Sequence, residues 1–400
     1  MGKIQVRQID DPALEKGVGQ LRIDVHPHLP EVYDVDFYFN IYRWLEIHPA
    51  GDKMMRWAVV DDDKVVGHLA AMPQHYRING QRVIAHTPGD YMTLPQYGFQ
   101  ALSLMRNYFR ATDNYVSCDM VPAVIKVETR LGAEVAGKLS YAAKLMNVSR
   151  LPMPTVPGPI RKVLNLADYN APARGFDDRA GNEVQDANEY MAPPPTRPRA
   201  PIPGPIKRLL NGGLWAVDEV LGRGLGGPLE AVTINEFDSS FDELFEKVAA
   251  AVPCTPEKDA AFLNWRYGPG SPQYPAKVLG VKDGDTLLGY AVLLVTSSGQ
   301  DSYISDLMTL PGRHDVARAL LRESIRYFRE TGAQIIRYRF AQSATAPRAN
   351  DLKSQGFFLR EGRENSILTK FSDPTLHKTA TDIKNWSYTV GDGEASFWIR

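Results

Sequence analysis

A six-residue segment that occurs twice constrains the fold of this 400-residue chain more than any other feature. Residues 90–95 read DYMTLP and residues 306–311 read DLMTLP, so five of six positions agree at a separation of 216. Two flanking glycine pairs keep nearly the same separation, namely Gly67 with Gly289 (222 positions) and Gly132 with Gly356 (224 positions). Three landmarks in register predict a tandem duplication.

The length and composition are those of an ordinary globular protein with more than one core. Four hundred residues predict two or three domains. Hydrophobic residues make up 44% of the chain and charged residues 23%, which excludes the disordered and fibrous classes. Lys and Arg total 46 against 47 for Asp and Glu, so no overall field attracts nucleic acid, and nucleic acid is not an expected partner.

The cysteines and the N-terminus predict a cytoplasmic location. Cys118 and Cys254 have neither a disulfide-framework nor a zinc-site spacing, which is typical of a reducing compartment. The first residues lack the apolar core of a signal peptide. No run approaches the roughly 18 apolar residues of a membrane span, so no transmembrane segment is expected.

Hydrophobic periodicity predicts a definite order of elements around the first copy of the repeated segment. We expect a helix over 32–47, then a hairpin of strands 56–60 and 64–72, and a second hairpin of strands 76–78 and 82–85 about Asn79-Gly80. The repeated segment follows as a strand that Pro95 ends. The remaining elements are an amphipathic helix from Gly98 to Ala111, a strand over 115–118, a helix that ends at Gly132, and strands to about Val148 that close the unit.

The same order recurs in the second half of the chain. It comprises a helix over 241–252, a hairpin of strands 277–281 and 287–295, the second copy of the segment, a helix over 314–331, a strand over 334–340 and a helix that ends at Gln355-Gly356. The sequence therefore predicts an α+β fold, in which mixed, mostly antiparallel sheets carry helices on both faces, in two tandem units.

Proline marks the connection between the two units. Residues 151–228 contain 13 of the 29 prolines, which is typical of a linker, and an amphipathic helix is expected over 204–221 within it. Such a helix packs on a neighbouring domain as a strap, or lies on a membrane or caps an acyl tunnel. We divide the chain into an N-terminal domain (1–150), a Pro-rich linker with amphipathic helices (151–232) and a C-terminal domain (233–400).

The order of elements resembles the GNAT superfamily of acyl-CoA-dependent N-acyltransferases, present here in two copies. The resemblance covers roughly residues 30–148 and 235–371 and lies in an antiparallel hairpin, a strand ending at proline, a turn into an amphipathic helix, a further strand and a helix ending in Leu-Gly or Gln-Gly. It implies that acetyl-CoA or a longer acyl-CoA is the donor substrate. It implies no metal.

The resemblance also implies where the donor binds. Backbone groups of Met92, Thr93 and Leu94 would hold the pantetheine arm and polarise the thioester carbonyl. The pyrophosphate would bind at the helix N-terminus that follows, where unsatisfied N–H groups and the helix dipole favour an anion. The residues of that turn are Gln96, Tyr97, Gly98, Phe99, Gln100 and Ala101.

This turn departs from the family pattern in both copies. Phe99 stands where the pattern has its first glycine, unless the loop is one residue shorter and Gly98 takes that role. In the second copy the turn places Asp315 near the anion. We therefore expect the acyl-CoA site in the N-terminal copy and a degenerate C-terminal copy.

Amine acylation needs a base for the ammonium proton and an acid for the departing thiolate. Asp90 is the predicted catalytic base, acting through water, with an ordinary turn aspartate as the alternative. The family's usual acid is a tyrosine four residues before the glycine that ends the fold, but this chain has Glu128 and Leu352 there, so that role does not transfer. Local substitutes for the acid are Tyr91 and Tyr97, and Cys118 is a candidate thiol nucleophile.

These features predict an N-acyltransferase that moves an acyl group from acyl-CoA to an amine by direct attack on the thioester. The acceptor is expected to be a small-molecule or peptide amine, and an acyl carrier protein is a second candidate donor. The alternative is a catalytically silent GNAT-fold module that binds or regulates, because fold does not imply function.

Overall fold

The computed structural model describes residues 4–27, 30–148, 204–224, 229–296, 301–361 and 365–398. Most of the predicted linker, namely 149–203 and 225–228, lies outside the described residues. The elements before the linker are β1 (Gln5–Gln8), α1 (Pro12–Val25), α2 (Val35–Glu46), β2 (Met55–Asp61), β3 (Lys64–Ile78), β4 (Gln81–Thr93), α3 (Gly98–Ala111), β5 (Tyr115–Asp119), α4 (Pro122–Arg130), β6 (Glu134–Lys138) and β7 (Ser140–Leu145).

The elements from the linker helix onward repeat this order. They are α5 (Gly204–Gly224), β8 (Val232–Ile234), α6 (Ser239–Ala251), β9 (Cys254–Pro256), α7 (Ala260–Tyr267), β10 (Lys277–Asp283), β11 (Thr286–Val295), β12 (Asp301–Thr309), α8 (His314–Glu330), β13 (Ile335–Phe340), α9 (Ala349–Ser354), β14 (Phe358–Arg360), β15 (Ser366–Lys370) and α10 (Pro374–Ala380). After α10 the chain continues as a tail over 381–398 that contains short 3-10 turns.

The hairpin predicted at Asn79-Gly80 is confirmed. Both residues have positive φ, +50° and +76°, as a two-residue turn between twisted strands requires. The prediction of two short strands on each side of this turn is wrong, because β3 and β4 are each one long strand. Both run on past the predicted ends, and Pro73 of β3 pairs with His86 of β4.

Each copy of the repeated segment ends a central strand of one of two sheets. In the described residues the first sheet has the order β1-β2-β3-β4-β5-β15-β6, with β9 attached to β3, and the second has the order β14-β7-β13-β12-β11-β10-β8. Neighbouring strands are antiparallel except β4 with β5 and β12 with β13. This arrangement confirms the predicted α+β class and the repetition of one order of elements in the two halves.

The two sheets exchange strands. β15, from the second half of the sequence, lies between β5 and β6 of the first sheet, and β7, from the first half, lies between β13 and β14 of the second. The prediction that both strands before Val148 close the first unit is therefore wrong for β7. Each sheet contains strands from both sides of residue 150, and neither sheet is complete without the other half of the chain.

Helix α5 is attached to the second sheet by polar contacts. Asp218 accepts from Lys144 Nζ at 2.5 Å and from Arg329, and Asn211 Oδ1 accepts from the backbone N of Val148 at 2.8 Å. These contacts agree with a packed strap. The helix nevertheless exposes large apolar side chains, namely Ile206, Leu209, Leu210, Trp215, Val217 and Val220. None of the described helices is both long enough and apolar enough to span a membrane.

Candidate active site

Strands β4 and β5 diverge at the first copy of the repeated segment. They pair at His86 and Tyr115, and one residue later the Thr87 hydroxyl, rather than a backbone N–H, donates to the carbonyl of Val116 at 2.8 Å. From Pro88 onward the described strands give β4 a partner on its β3 side only. Gly393 and Glu394 of the tail lie against Cys118 and Gly89 just past this point, so the gap between the strands is left at the end of β4, where the sequence predicts the thioester-binding strand.

Thr93 presents its backbone to this gap. The N–H of Leu94 donates to the carbonyl of Val66 on β3 at 2.9 Å, so that group is already used. Because backbone groups of successive residues in an antiparallel strand point to opposite sides, the N–H and C=O of Thr93 face the gap. The side chains of Met92 and Leu94 are buried in the core of the first sheet.

Asp90 lies in a buried polar cluster beside the gap. Arg22 Nη2 donates to its Oδ2 at 2.6 Å, the Tyr42 hydroxyl donates to the same oxygen, and His68 Nδ1 lies 2.9 Å from it. A register shift in the β3–β4 ladder accompanies the positive φ of Asp90, +50°. These contacts hold the carboxylate away from solvent, and its side chain is 5% exposed.

The cluster fixes the charge of its members. Burial alone would raise the pKa of Asp90, but Arg22 and His68 together outweigh it, and the pKa lies below that of an ordinary aspartate. Burial lowers the pKa of His68, so its imidazole is neutral at pH 7 and carries its proton on Nδ1, facing the carboxylate. An ionised carboxylate with three donors is a weak proton acceptor, and the base role of Asp90 stays a prediction.

The C-terminal tail also contacts Asp90. Glu394 Oε1 accepts a hydrogen bond from the backbone N of Asp90 at 3.1 Å. With Asp392, His48 and Gln74, Glu394 also lines a narrow cavity between the two halves of the molecule. The environment of the first repeated segment is thus built by both halves.

The predicted turn begins α3 and leaves its N-terminus open. Tyr97 precedes the helix and contributes no side-chain cap, and the first turn carries no acidic residue. A Cβ added to Gly98 would meet no atom within 4 Å, and Phe99 is 65% exposed. Unsatisfied N–H groups with open space in front of them fit an anion such as a pyrophosphate.

The second copy has the same strand divergence, and there too the tail lies beside the strand. β12 and β13 pair only from Asp301 to Ile304 on β12. Beyond that point Gly391 of the tail packs so closely on Ser305 that an added Cβ would lie 2.5 Å from its carbonyl oxygen. Behind the strand, Lys258 Nζ binds Asp306 at 2.7 Å and Asp392 at 2.9 Å. The buried side chain of Asp306 thus pairs with a lysine instead of facing a cleft.

The helix N-terminus of the second copy is also occupied from within. Asp315 lies in the first turn of α8, where Arg313 holds it at 2.8 Å. Both its contact with Arg313 and the helix backbone lower its pKa, to about 2, so it is an anion at neutral pH. The two copies therefore differ at the N-terminus of the helix that follows the repeated segment.

The remaining sequence candidates are inside or beside the first unit. Burial raises the pKa of the Cys118 thiol, so it is protonated and a poor nucleophile. The Tyr97 hydroxyl donates to Asp61 at 2.6 Å, on the side of β2. The Tyr91 hydroxyl is buried and has no hydrogen-bond partner among the described residues.

The sequence did not predict the side chains that hold Asp90. Arg22 comes from α1, an element absent from the predicted order, although two signals were available. Asp11 directly precedes the helix and its side chain caps the N–H groups of Ala13 and Leu14. The apolar residues of α1 recur at helical spacing, namely Leu14, Val18, Leu21 and Val25.

Comparison with known proteins bears on the fold. No protein-family model matches the sequence, and no curated protein matches it significantly. Among solved structures, a probable N-acyltransferase from Enterococcus faecalis has a TM-score of 0.51 at 10% identity, covering 94% of this chain and 74% of that one. A GCN5-related N-acetyltransferase from Kribbella flavida has a TM-score of 0.51 at 12% identity, with coverages of 92% and 71%.

A third structure agrees with these two. The GCN5-related N-acetyltransferase from Anabaena variabilis has a TM-score of 0.50 at 13% identity, covering 93% of this chain and 73% of that one. Likeness at this level of identity concerns the fold. In two tandem copies joined by exchanged strands, the chain has the fold of the GCN5-related N-acetyltransferases.

Proposed function

We propose that this protein is an N-acyltransferase that uses the gap between β4 and β5 of the first unit to transfer an acyl group from acyl-CoA to an amine. The observation that carries the proposal is the difference between the two copies. In the first, the diverging strand leads to an uncapped helix that starts at Gly98. In the second, Asp315 and Arg313 form an ion pair at the equivalent helix N-terminus.

The donor substrate would lie along β4. The backbone of Thr93, which faces the gap, is suited to hydrogen bonding with the pantetheine arm and the thioester carbonyl. The N–H groups in the first turn of α3, at Phe99 and Gln100, are suited to the pyrophosphate. The remaining predicted residues, Gln96, Tyr97 and Ala101, belong to the turn and first helical residues around that anion site. Acetyl-CoA and longer acyl-CoAs are both candidate donors.

The acceptor would approach from the cavity between the two halves. Glu394 supplies a carboxylate there, which favours a cationic ammonium group. Before attack the ammonium must lose a proton, because only the neutral amine is a nucleophile. Asp90 is the proposed acceptor of that proton through water, and the bound Arg22 limits its basicity. A small-molecule or peptide amine fits this proposal.

Calorimetry with acyl-CoAs of different chain length tests the donor site. Gly98→Trp fills the open space before α3 and should weaken donor binding at least tenfold, which corresponds to about 1.4 kcal/mol. The matched control is His314→Trp, at the start of α8 in the second copy, which should leave donor affinity unchanged. If no acyl-CoA binds the wild-type protein, the proposed function fails.

Thiol release in the presence of amines then tests turnover. Asp90→Asn should lower turnover while donor affinity changes little, because the carboxylate lies beside the strand and not at the helix N-terminus. A large loss of donor affinity would instead assign Asp90 a structural role. The variant keeps the shape of the side chain but leaves the Arg22 guanidinium without its carboxylate, so circular dichroism should first establish that it is folded.

A catalytically silent binding module is the second candidate. The observation that favours it is the occupied state of Asp90, whose carboxylate already accepts from Arg22, Tyr42 and His68. Tight binding of acyl-CoA without thiol release for any amine would support this alternative. Release of thiol that depends on both donor and amine supports the enzyme.

A further inference from the structure

The carboxyl group of Glu128 is buried beside the gap of the first unit. Glu128 lies on α4 and is 0% exposed. The Ser117 hydroxyl on β5, two residues past the last β4–β5 pair, donates to its Oε2 at 3.3 Å, and Tyr115 of the same strand is a second hydrogen-bonding neighbour. The buried Tyr91 hydroxyl on β4 has no hydrogen-bond partner among the described residues. Because buried polar groups are costly unless they are fully paired, these side chains beside the gap indicate a function.

The surroundings of Glu128 keep its carboxyl group protonated. Burial and the nearby Asp119 carboxyl raise its pKa to about 8. The other titratable groups near it are phenols, namely Tyr91 of β4, Tyr108 of α3 and Tyr115 of β5. At neutral pH the group is therefore a carboxylic acid with a proton to donate.

The second copy shows that the fold does not need these polar groups. The repeat places Leu307 opposite Tyr91 and Leu352 opposite Glu128. Both are buried apolar residues. The second unit thus forms with leucines at the two positions where the first unit has a buried phenol and a buried carboxyl group.

Glu128 contacts β5 at Ser117, just past the point where β4 and β5 part, and Tyr91, which precedes the predicted thioester-binding residues Met92 and Thr93, is one of its neighbours. We propose that Glu128 is the general acid of the reaction and donates its proton to the sulfur of the departing coenzyme A. This inference rests on the proposed acyl transfer.

The proposed step balances as follows. The amine nitrogen forms a bond to the thioester carbon, and the tetrahedral intermediate collapses with breakage of the carbon–sulfur bond. The electron pair of that bond goes to sulfur, which takes the proton from the Glu128 carboxyl group. Glu128 is left as a carboxylate and regains a proton from solvent, while the amine proton leaves through the base.

Glu128→Gln tests the proposal, because glutamine keeps the shape and the acceptor for Ser117 but has no acidic proton. We expect turnover to fall about 100-fold while the affinity for acyl-CoA stays within a factor of three. The wild-type rate should fall as pH rises through about 8, where the acid loses its proton, and the variant should lack that limb. An acyl-selenoester of coenzyme A, whose selenolate leaves without a proton, should restore most of the lost rate.

Asp119→Asn provides a second, independent variant. It keeps the acceptor for the Val121 N–H (2.7 Å) but removes the charge that raises the pKa of Glu128, so the alkaline limb should move to lower pH. A Glu128→Gln enzyme with wild-type turnover, or a loss that the selenoester does not restore, would overturn the proposal. An absence of turnover by the wild-type protein refutes the proposed function and this inference together, whereas an unaltered variant refutes only the inference.

Discussion

Trp44 and Trp265 stack face to face across the junction of the two halves, and each indole N–H donates to the backbone carbonyl of the other residue at 2.8 Å. Their ring centroids are 4.2 Å apart and the planes differ by 2°. The two residues are 221 positions apart, close to the offset of the repeated segment, so equivalent positions of the two copies meet each other. This reciprocal pair indicates a pseudo-twofold relation between the units.

Replacing Trp44 by alanine should therefore uncouple the two halves. The change removes a buried aromatic side chain and leaves the carbonyl of Trp265 without its donor, so we expect a loss of about 3–5 kcal/mol in the free energy of unfolding. Urea denaturation followed by circular dichroism measures it. Trp215→Ala is the control, because that side chain is 55% exposed on α5 and its loss should cost less than about 0.5 kcal/mol. Equal effects of the two changes would contradict the role of the stacked pair.

The ion pair of Arg22 with Asp90 should contribute strongly to the stability of the first unit. Arg22→Met leaves a buried carboxylate without its cation and should cost about 3–5 kcal/mol in the free energy of unfolding. Adding Asp90→Asn to that variant removes the unpaired charge and should recover a large part of the loss. A double variant as unstable as Arg22→Met alone would show that the pair contributes little.

The ion pair of Arg22 with Asp90 also determines whether the protein gains or loses stability as pH falls. Because the pKa of Asp90 is lowered in the folded state, the unfolded chain binds the extra proton as pH falls. The contribution of Asp90 is complete above its unfolded pKa of about 4 and is lost as pH falls further toward its folded value. Asp90→Asn should flatten the stability profile below pH 4, measured by urea denaturation at several pH values.

The contribution of Asp392 to stability should change with pH in the opposite direction. Its pKa is raised to about 6, because burial and the neighbouring Asp306 outweigh the attraction of Lys258. A raised folded pKa gives stability that is complete below the unfolded value of about 4 and is lost as pH rises through about 6. We expect the wild-type protein to lose roughly 2 kcal/mol from this group between pH 4 and 7, and Asp392→Asn to lack that slope.

The control for that experiment is the tail contact of Thr389. Its N–H and hydroxyl donate to Asp392 Oδ2 at 2.7 and 3.1 Å, and asparagine can still accept both bonds. Thr389→Val removes only the hydroxyl and should lower stability without changing its slope with pH. If both variants keep the wild-type slope, another group is responsible for it.

Local signals in the sequence predicted the helices and strands, but they did not predict which strands pair with each other over long range. Asn79-Gly80, Pro95 and Gly98 act through their own backbone, so a turn, a strand end and a helix start could be predicted from them. Strand exchange was not predictable in the same way, because β7 and β15 are short strands that are buried on both faces. A run of buried residues indicates a central strand but not which strand lies alongside.

The residues of the candidate site show the same difference between local signals and long-range contacts. Asp90 was predicted from its place in a repeated segment, whereas Arg22 and Tyr42 reach it from helices 68 and 48 positions away. Such contacts leave no periodic trace in the sequence. Glu128 was recognised only as a departure from a family pattern, because its burial cannot be read from sequence alone.

The last prediction concerns the N-terminus of α8 and the reason why the second copy would bind no acyl-CoA. Asp315→Ala removes the anion that occupies the first turn and should cost up to about 1 kcal/mol in the free energy of unfolding. It should not create a second donor site, because Gly391 still packs closely on Ser305 of β12. Calorimetric titration of the variant with acyl-CoA should give one site per chain, as in the wild-type protein. A stoichiometry of two would show that Asp315 alone keeps the second copy from binding the donor.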